Sequence, residues 1–305
     1  MLKKVSIPMA GLVLGIASLG NLLQSYSENI RLFCGMLAGM IAILVAIKAG
    51  ISWKSVKEEL KNPIIASVAA TFSMGTMLLS VYIKPYNAIV ATWIWCAGIG
   101  LHIILLLHFL IRYILKFDIK KVFASYFIPF VGLGIIAITA PAYGQQKIGM
   151  LVFWFAFISA LVLLSVVGYR YIKYKEFPQP AQPLFCIFTA PISLCLTGYL
   201  ASAENKSYPL IVFMAVLAFL IYIIVLVRLP KLLKLPFYPS YSSFTFPFVI
   251  SAIAMKQTMR YMEGIGKTVP GGMYIVVMQT VIATILVGYT IIRYGVYFCE
   301  SRGRV

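Results

Sequence analysis

Long apolar runs, cut at regular intervals by short polar segments, dominate the chain. Ten of them fall near 5–24, 30–51, 63–83, 87–114, 124–143, 148–172, 183–202, 207–228, 241–262 and 272–297. A hydrocarbon core about 30 Å thick needs about 20 consecutive apolar residues in a helix. In lipid the backbone must satisfy its own hydrogen bonds, so only helices and closed barrels cross it. These runs are too long and too uniformly apolar for barrel strands. The pattern predicts an all-α integral membrane protein, a single transmembrane domain over 1–305 with ten spans.

The connections alternate in character. One set is short, such as "SYSEN", "KPYN" and "YGQQK". The other is longer and basic, such as "SWKSVKEELKN" and "PKLLKLPFYPS". Short loops join antiparallel neighbours, so the unit is a helical hairpin, and five hairpins follow one another. Proline separates the two helices of each hairpin. Odd-numbered spans carry Pro8, Pro129, Pro191 and Pro247, whereas even spans have no proline past their first turn. The spacing fits a repeat of about 60 residues, with Ser73 standing in the third span where a proline is expected.

A proline inside a helix frees a carbonyl that neighbours or water must satisfy. Broken helices therefore belong inside protein or along a wet cavity. Five hairpins closed into a quasi-five-fold ring would put the odd helices inside and the even ones against lipid. The odd spans also hold the small and hydroxyl residues. The pore-lining candidates are Gly15, Ser18, Ser73, Thr139, Thr189, Ser193, Ser243 and Ser251. Close helix packing is the competing explanation for each of them taken singly.

Composition agrees: 62% of the 305 residues are hydrophobic and 11% charged, against about 25% charged in soluble domains. The net charge of +18 does not signal nucleic acid, because position explains it. Of the 26 Lys and Arg, all but Arg31, Lys84, Lys147, Lys206, Lys256, Arg260 and Lys267 fall on the side of the long loops. By the positive-inside rule that side is cytoplasmic. Both termini then lie inside, as expected for a multi-pass protein of the cytoplasmic (inner) membrane. A signal peptide in "MLKK" and the run after it is not expected, since the run is long and lacks a convincing cleavage site.

The chemistry allowed is narrow. All eight acids fall in loops or at span ends, whereas proton- or sodium-coupled carriers usually need an intramembrane carboxylate and cation channels an acidic ring. Hydroxyls inside and a basic surface on both sides suit anions. Lys256 and Arg260 could line an outer vestibule, or snorkel to the interface. His102 and His108 read as satisfied or interfacial histidines. The five cysteines have no CxxC spacing and read as inert buried thiols. No catalytic motif occurs, so no enzyme, cofactor or metal site is expected.

"GLVLGIASLGNLL" in span one, "APISLCLTGYL" in span seven and "SSFTFPFVISAIA" in span nine resemble the tellurite-resistance/dicarboxylate transporter family. That family takes in bacterial TehA proteins, yeast malate permease and sulfite exporters, and plant slow-type anion channels. The resemblance implies a homotrimer whose protomers each have a pore of five proline-kinked inner helices. It also implies a phenylalanine plug on the ninth helix, which aligns with Phe246, or with Phe244 one register away, flanked by Phe72. Small monovalent anions would pass down their gradient. The alternative is a secondary carrier of C4-dicarboxylate, sulfite or tellurite-type oxyanions. A membrane scaffold or sensor is a third class. Ser73 departs from the relatives' proline, and kinase gating through long cytoplasmic tails like those of the plant channels is not expected.

Overall fold

The computed structural model describes residues 5–300, with the side chain of Glu300 excluded. Lys3, Lys4, Arg302 and Arg304, which entered the charge argument, lie outside them. Among the described residues there are twelve α-helices and no strands. They are α1 (Met9–Leu23), α2 (Glu28–Ile51), α3 (Trp53–Glu59), α4 (Pro63–Ile83), α5 (Ala88–Phe109), α6 (Phe127–Val131), α7 (Gly134–Thr139), α8 (Gln146–Lys173), α9 (Ala190–Ser202), α10 (Tyr208–Leu233), α11 (Phe246–Gly264) and α12 (Gly272–Glu300). The protein is a multi-pass membrane protein. Among the described residues, seven helical segments are long and apolar enough to cross a bilayer, and the bent pair 124–131 and 134–143 would make eight.

α1 and α11 are not among those segments. α1 has 15 residues, and α11 carries Lys256, Gln257 and Arg260. Both are nevertheless buried along most of their length. A helix shielded by other helices need not be uniformly apolar, which is the physical reason α11 can carry polar side chains and still be buried.

Short polar caps set the hairpins. The Ser27 hydroxyl accepts from the Ile30 amide, Asn62 from the Ile64 and Ile65 amides, and Asn87 from the Val90 amide. Such side-chain acceptors satisfy the orphan donors of a helix N-terminus. Gly144 closes the turn between α7 and α8 with φ 68°, a left-handed conformation that suits glycine.

The prolines act differently from simple kinks. Pro8 is the N-cap of α1. Pro191 and Pro247 sit in the first turn of α9 and α11, each directly after a 3-10 segment, Gln179–Thr189 and Pro239–Phe244. Proline is well tolerated there because its missing N–H is an orphan anyway. The seventh and ninth segments thus change helix type at their prolines. The fifth is broken outright: α6, which contains Pro129, and α7 meet at 50°. α4 runs unbroken through Ser73. The expectation for even helices needs one correction, since α10 continues past its expected end and encloses Pro230.

Contacts follow a cycle. α1 packs on α4, α4 on α6 and α7, α7 on α9, α9 on α11, and α11 back on α1. α2, α5, α8, α10 and α12 each pack mainly on their own hairpin partner. Burial divides the same way. The third and seventh segments are 67% and 78% buried along their most apolar stretch, against 22–39% for the five even ones. Large apolar side chains such as Phe33, Trp93, Leu151 and Val227 stand exposed on the even helices, the surface expected against lipid. Not every thiol is buried as expected, because Cys96 and Cys299 are exposed.

Candidate functional site

At the centre of the cycle lies a cavity of about 50 Å³. All five odd segments contribute to its wall. The first gives Gly11 and Leu14, and the third Val68, Thr71 and Met74. The fifth gives Phe127, Ile128, Val131 and Gly132, and the seventh Leu184, Ile187, Ala190, Pro191 and Leu194. From the ninth come Ser242, Ser243, Phe246 and Pro247. None of these residues is charged, and none comes from an even helix. A buried water takes about 10–15 Å³ on this measure, so the space fits a few waters or one small dehydrated ion.

Helix breaks decide which groups reach the wall. The ninth segment changes from 3-10 to α at Thr245, whose φ of −96° and ψ of −89° fit neither helix. Its hydroxyl lies 2.7 Å from the Ser242 carbonyl and 3.1 Å from the Gly11 carbonyl of α1. Phe246 follows at the start of α11 and meets the cavity. α9 likewise starts at the wall, with Ala190 and Pro191. The N-terminal end of a helix carries partial positive charge; the break at Thr245 makes the start of α11 such an end, whereas α9 continues the 3-10 segment before it.

The structure separates the residues singled out in the sequence. Phe246, Pro191, Pro247 and Ser243 line the cavity. Ser243 donates toward the carbonyls of Pro183, at 2.7 Å, and Ser240, at 2.6 Å. Phe244 is fully buried away from the cavity, edge-on to Tyr241 at 4.9 Å. Phe72 is placed elsewhere too. It lies in a groove between α2 and α4 with Leu79 and Tyr82, because Val68, Thr71 and Met74 occupy the cavity face of α4 and Phe72 falls on a different face.

The remaining small and hydroxyl candidates sit at helix contacts instead of on the cavity wall. Gly15 packs on Thr245. Ser18 is buried with no hydrogen-bond partner. Ser73 bonds His102 of α5 at 2.9 Å. Thr139 accepts from the Trp95 indole at 2.8 Å. The Thr189 hydroxyl donates to the Cys186 carbonyl, while its own carbonyl accepts from both Ser193 and Ser251. Ser193 and Ser251 lie 3.2 Å apart beside a second, smaller space with Gln279. A hydroxyl in a helix can donate to a carbonyl three or four residues back, so polarity alone did not report direction. Lys256 is engaged at the end of α1, bonding the Leu22 carbonyl and Ser25. Arg260 stands exposed. The apolar wall residues, such as Met74 and Leu194, carried no signal beyond recurrence on one helix face.

No curated protein matches the chain at a significant level. The sequence matches the voltage-dependent anion channel family (SLAC1) over residues 4–292, and the chain belongs to that family.

Proposed function

We propose that the protein is an anion channel, or channel-like uniporter, that passes small monovalent anions such as chloride or nitrate. The observation that carries this reading is the uncharged central cavity, walled by all five odd segments, with the start of α11 and Phe246 on its wall. In this reading the cycle of contacts is a ring of five hairpins and ten spans. The short α1 and the polar α11 cross the membrane inside it, in the cytoplasmic membrane with both termini inside. Phe246 closes the path, and selectivity comes from width and dehydration cost instead of fixed charge. The assembly is a homotrimer with one path per protomer.

The C4-dicarboxylate or oxyanion carrier is the second reading. The small cavity and the absence of any acid on its wall speak against it. Bilayer recording of the wild type beside Phe246→Ala, across an anion series, tests the proposal. Anion current should rise at least tenfold in the variant, with a reversal potential set by the anion gradient alone. A correctly folded but silent variant sinks the gate, and accumulation that collapses with the pH gradient favours the carrier.

A further inference from the structure

His102 belongs to an outer helix, α5, yet it is fully buried. Its Nε2 lies 3.0 Å from the Pro129 carbonyl and its Nδ1 2.9 Å from Ser73 Oγ. The ring thus bridges the third and fifth segments beside the break of the fifth. A carbonyl only accepts, so Nε2 carries a proton in either charge state. Ser73 Oγ also lies 2.8 Å from the Ala70 carbonyl. When the imidazole is neutral, the hydroxyl donates to Nδ1. When it is charged, Nδ1–H donates to the hydroxyl oxygen, and the hydroxyl turns to the Ala70 carbonyl. Both states are fully hydrogen-bonded: uptake of a proton from solution at Nδ1 needs only rotation of one hydroxyl, with no heavy atom moved.

The ring also backs the cavity wall. A Cβ on Gly132 would lie 3.0 Å from His102 Cε1 and 2.7 Å from Met74 Sδ, and both Gly132 and Met74 line the cavity. One glycine backbone and one thioether therefore stand between the imidazole and the space. The groups that face it are Ser73 and Met74 from α4 and Pro129 and Gly132 from the fifth segment, none of them charged. The titratable or charged side chains on the elements around it are Tyr82 on α4, Tyr126 before α6, Cys96 and His108 on α5, and Arg112 and Tyr113 on the π-helical turn after it. None of these hydrogen-bonds the ring.

A buried imidazolium with no carboxylate beside it is costly. An anion in the cavity would supply the missing countercharge across a short, poorly screened distance. We propose that His102 is a proton-binding site linked to anion occupancy of the cavity. An anion beside Gly132 promotes protonation of His102, and by reciprocity the protonated ring strengthens anion binding. This inference rests on the reading that the cavity carries anions.

The chain contains two His, so His108→Gln leaves His102 as the sole imidazole. The test follows its NMR signals from pH 4 to 9 in the untagged full chain in lipid nanodiscs, in sodium chloride and in sodium gluconate. The titration midpoint should lie about one pH unit higher in chloride, a tenfold linkage within the usual 5–150-fold range. A ring that fails to titrate in chloride, or titrates identically in both salts, overturns the proposal. Ser73→Ala, which removes the acceptor for Nδ1–H, should lower the midpoint in both salts, and an unchanged midpoint counts against the proposal.

In liposomes at chloride well below saturation, where flux follows occupancy, wild-type chloride flux should rise by up to about tenfold as pH falls through the midpoint. His102→Gln, which keeps a donor for Pro129, should show flux independent of pH. A folded Gln variant that retains the wild-type pH profile overturns the proposal. A chloride-dependent midpoint without any flux would fail the conduction reading and leave the linked site standing. Flux with a salt-independent midpoint would do the reverse.

Discussion

Gly15 of α1 lies so close to Thr245 that a Cβ on it would overlap the threonine hydroxyl and approach the Phe246 amide nitrogen to 3.1 Å. Thr245 is where the ninth segment changes helix type, and its hydroxyl reaches back to the Gly11 carbonyl. The position of Phe246 therefore depends on how near α1 can come to α11, and the glycine sets that distance.

Gly15→Ala should push α11 from α1 and cost about 1–3 kcal/mol, the usual range for overpacking. Thermal unfolding in detergent would register this as a lower Tm. A wild-type Tm would mean that the neighbours relax without strain.

The two phenylalanines should part company. Phe246→Ala removes a ring at the cavity wall and should raise current with little loss of stability. Phe244→Ala empties a fully buried site against Tyr241 and should cost about 3–5 kcal/mol without opening the path. Paired recordings and melting curves distinguish them, and an open Phe244→Ala channel would reverse the assignment.

Lys256 should act on stability more than on conduction. Its ammonium bonds the Leu22 carbonyl at 2.9 Å, near the end of α1 where the helix dipole favours a cation. Lys256→Met should cost about 1–3 kcal/mol and leave current at high salt unchanged. Exposed Arg260→Gln should stay within about 0.5 kcal/mol of wild type and lower current only at low ionic strength. Salt-dependent recordings beside denaturation curves check both.

Arg170 is buried, with no carboxylate paired to it among the described residues. Its guanidinium donates to the carbonyls of Lys120, Tyr174 and Glu176 and stacks on the Phe177 ring at 4.2 Å. It ties two loops to the end of α8. Lysine lacks the planar fork, so Arg170→Lys should loosen residues 118–124 and 174–178. Hydrogen exchange of those segments would rise, and unchanged protection would show that the loops hold without the fork.

Much of the fold was legible because burial in lipid imposes composition. The apolar runs correspond to an all-helical chain in which seven segments, or eight with the bent pair, are long and apolar enough to cross a bilayer among the described residues, and a proline break marked only some of the segments that line the cavity, since α4 runs unbroken through Ser73. The wall residues were less legible. Thr139 and Ser73 looked like lining groups, yet they face Trp95 and His102 on α5. Met74 and Leu194 carried no distinguishing signal, yet they line the cavity. A hydroxyl bonded to its own helix can face any direction, and an apolar side chain fits a core and a narrow cavity equally well.

The sequence by itself determined that this chain is all-helical and crosses a membrane more than once, and that its apolar segments differ in proline and hydroxyl content. Those properties follow from apolar length, loop charge and proline, which are local. Only the tertiary structure decided that α11 returns to α1, that Phe246 instead of Phe244 meets the cavity, and that an outer-helix histidine reaches the broken fifth segment. Each of these depends on rotation about a helix axis and on approach distances set by residues as far apart as Gly15 and Thr245, which no local pattern encodes.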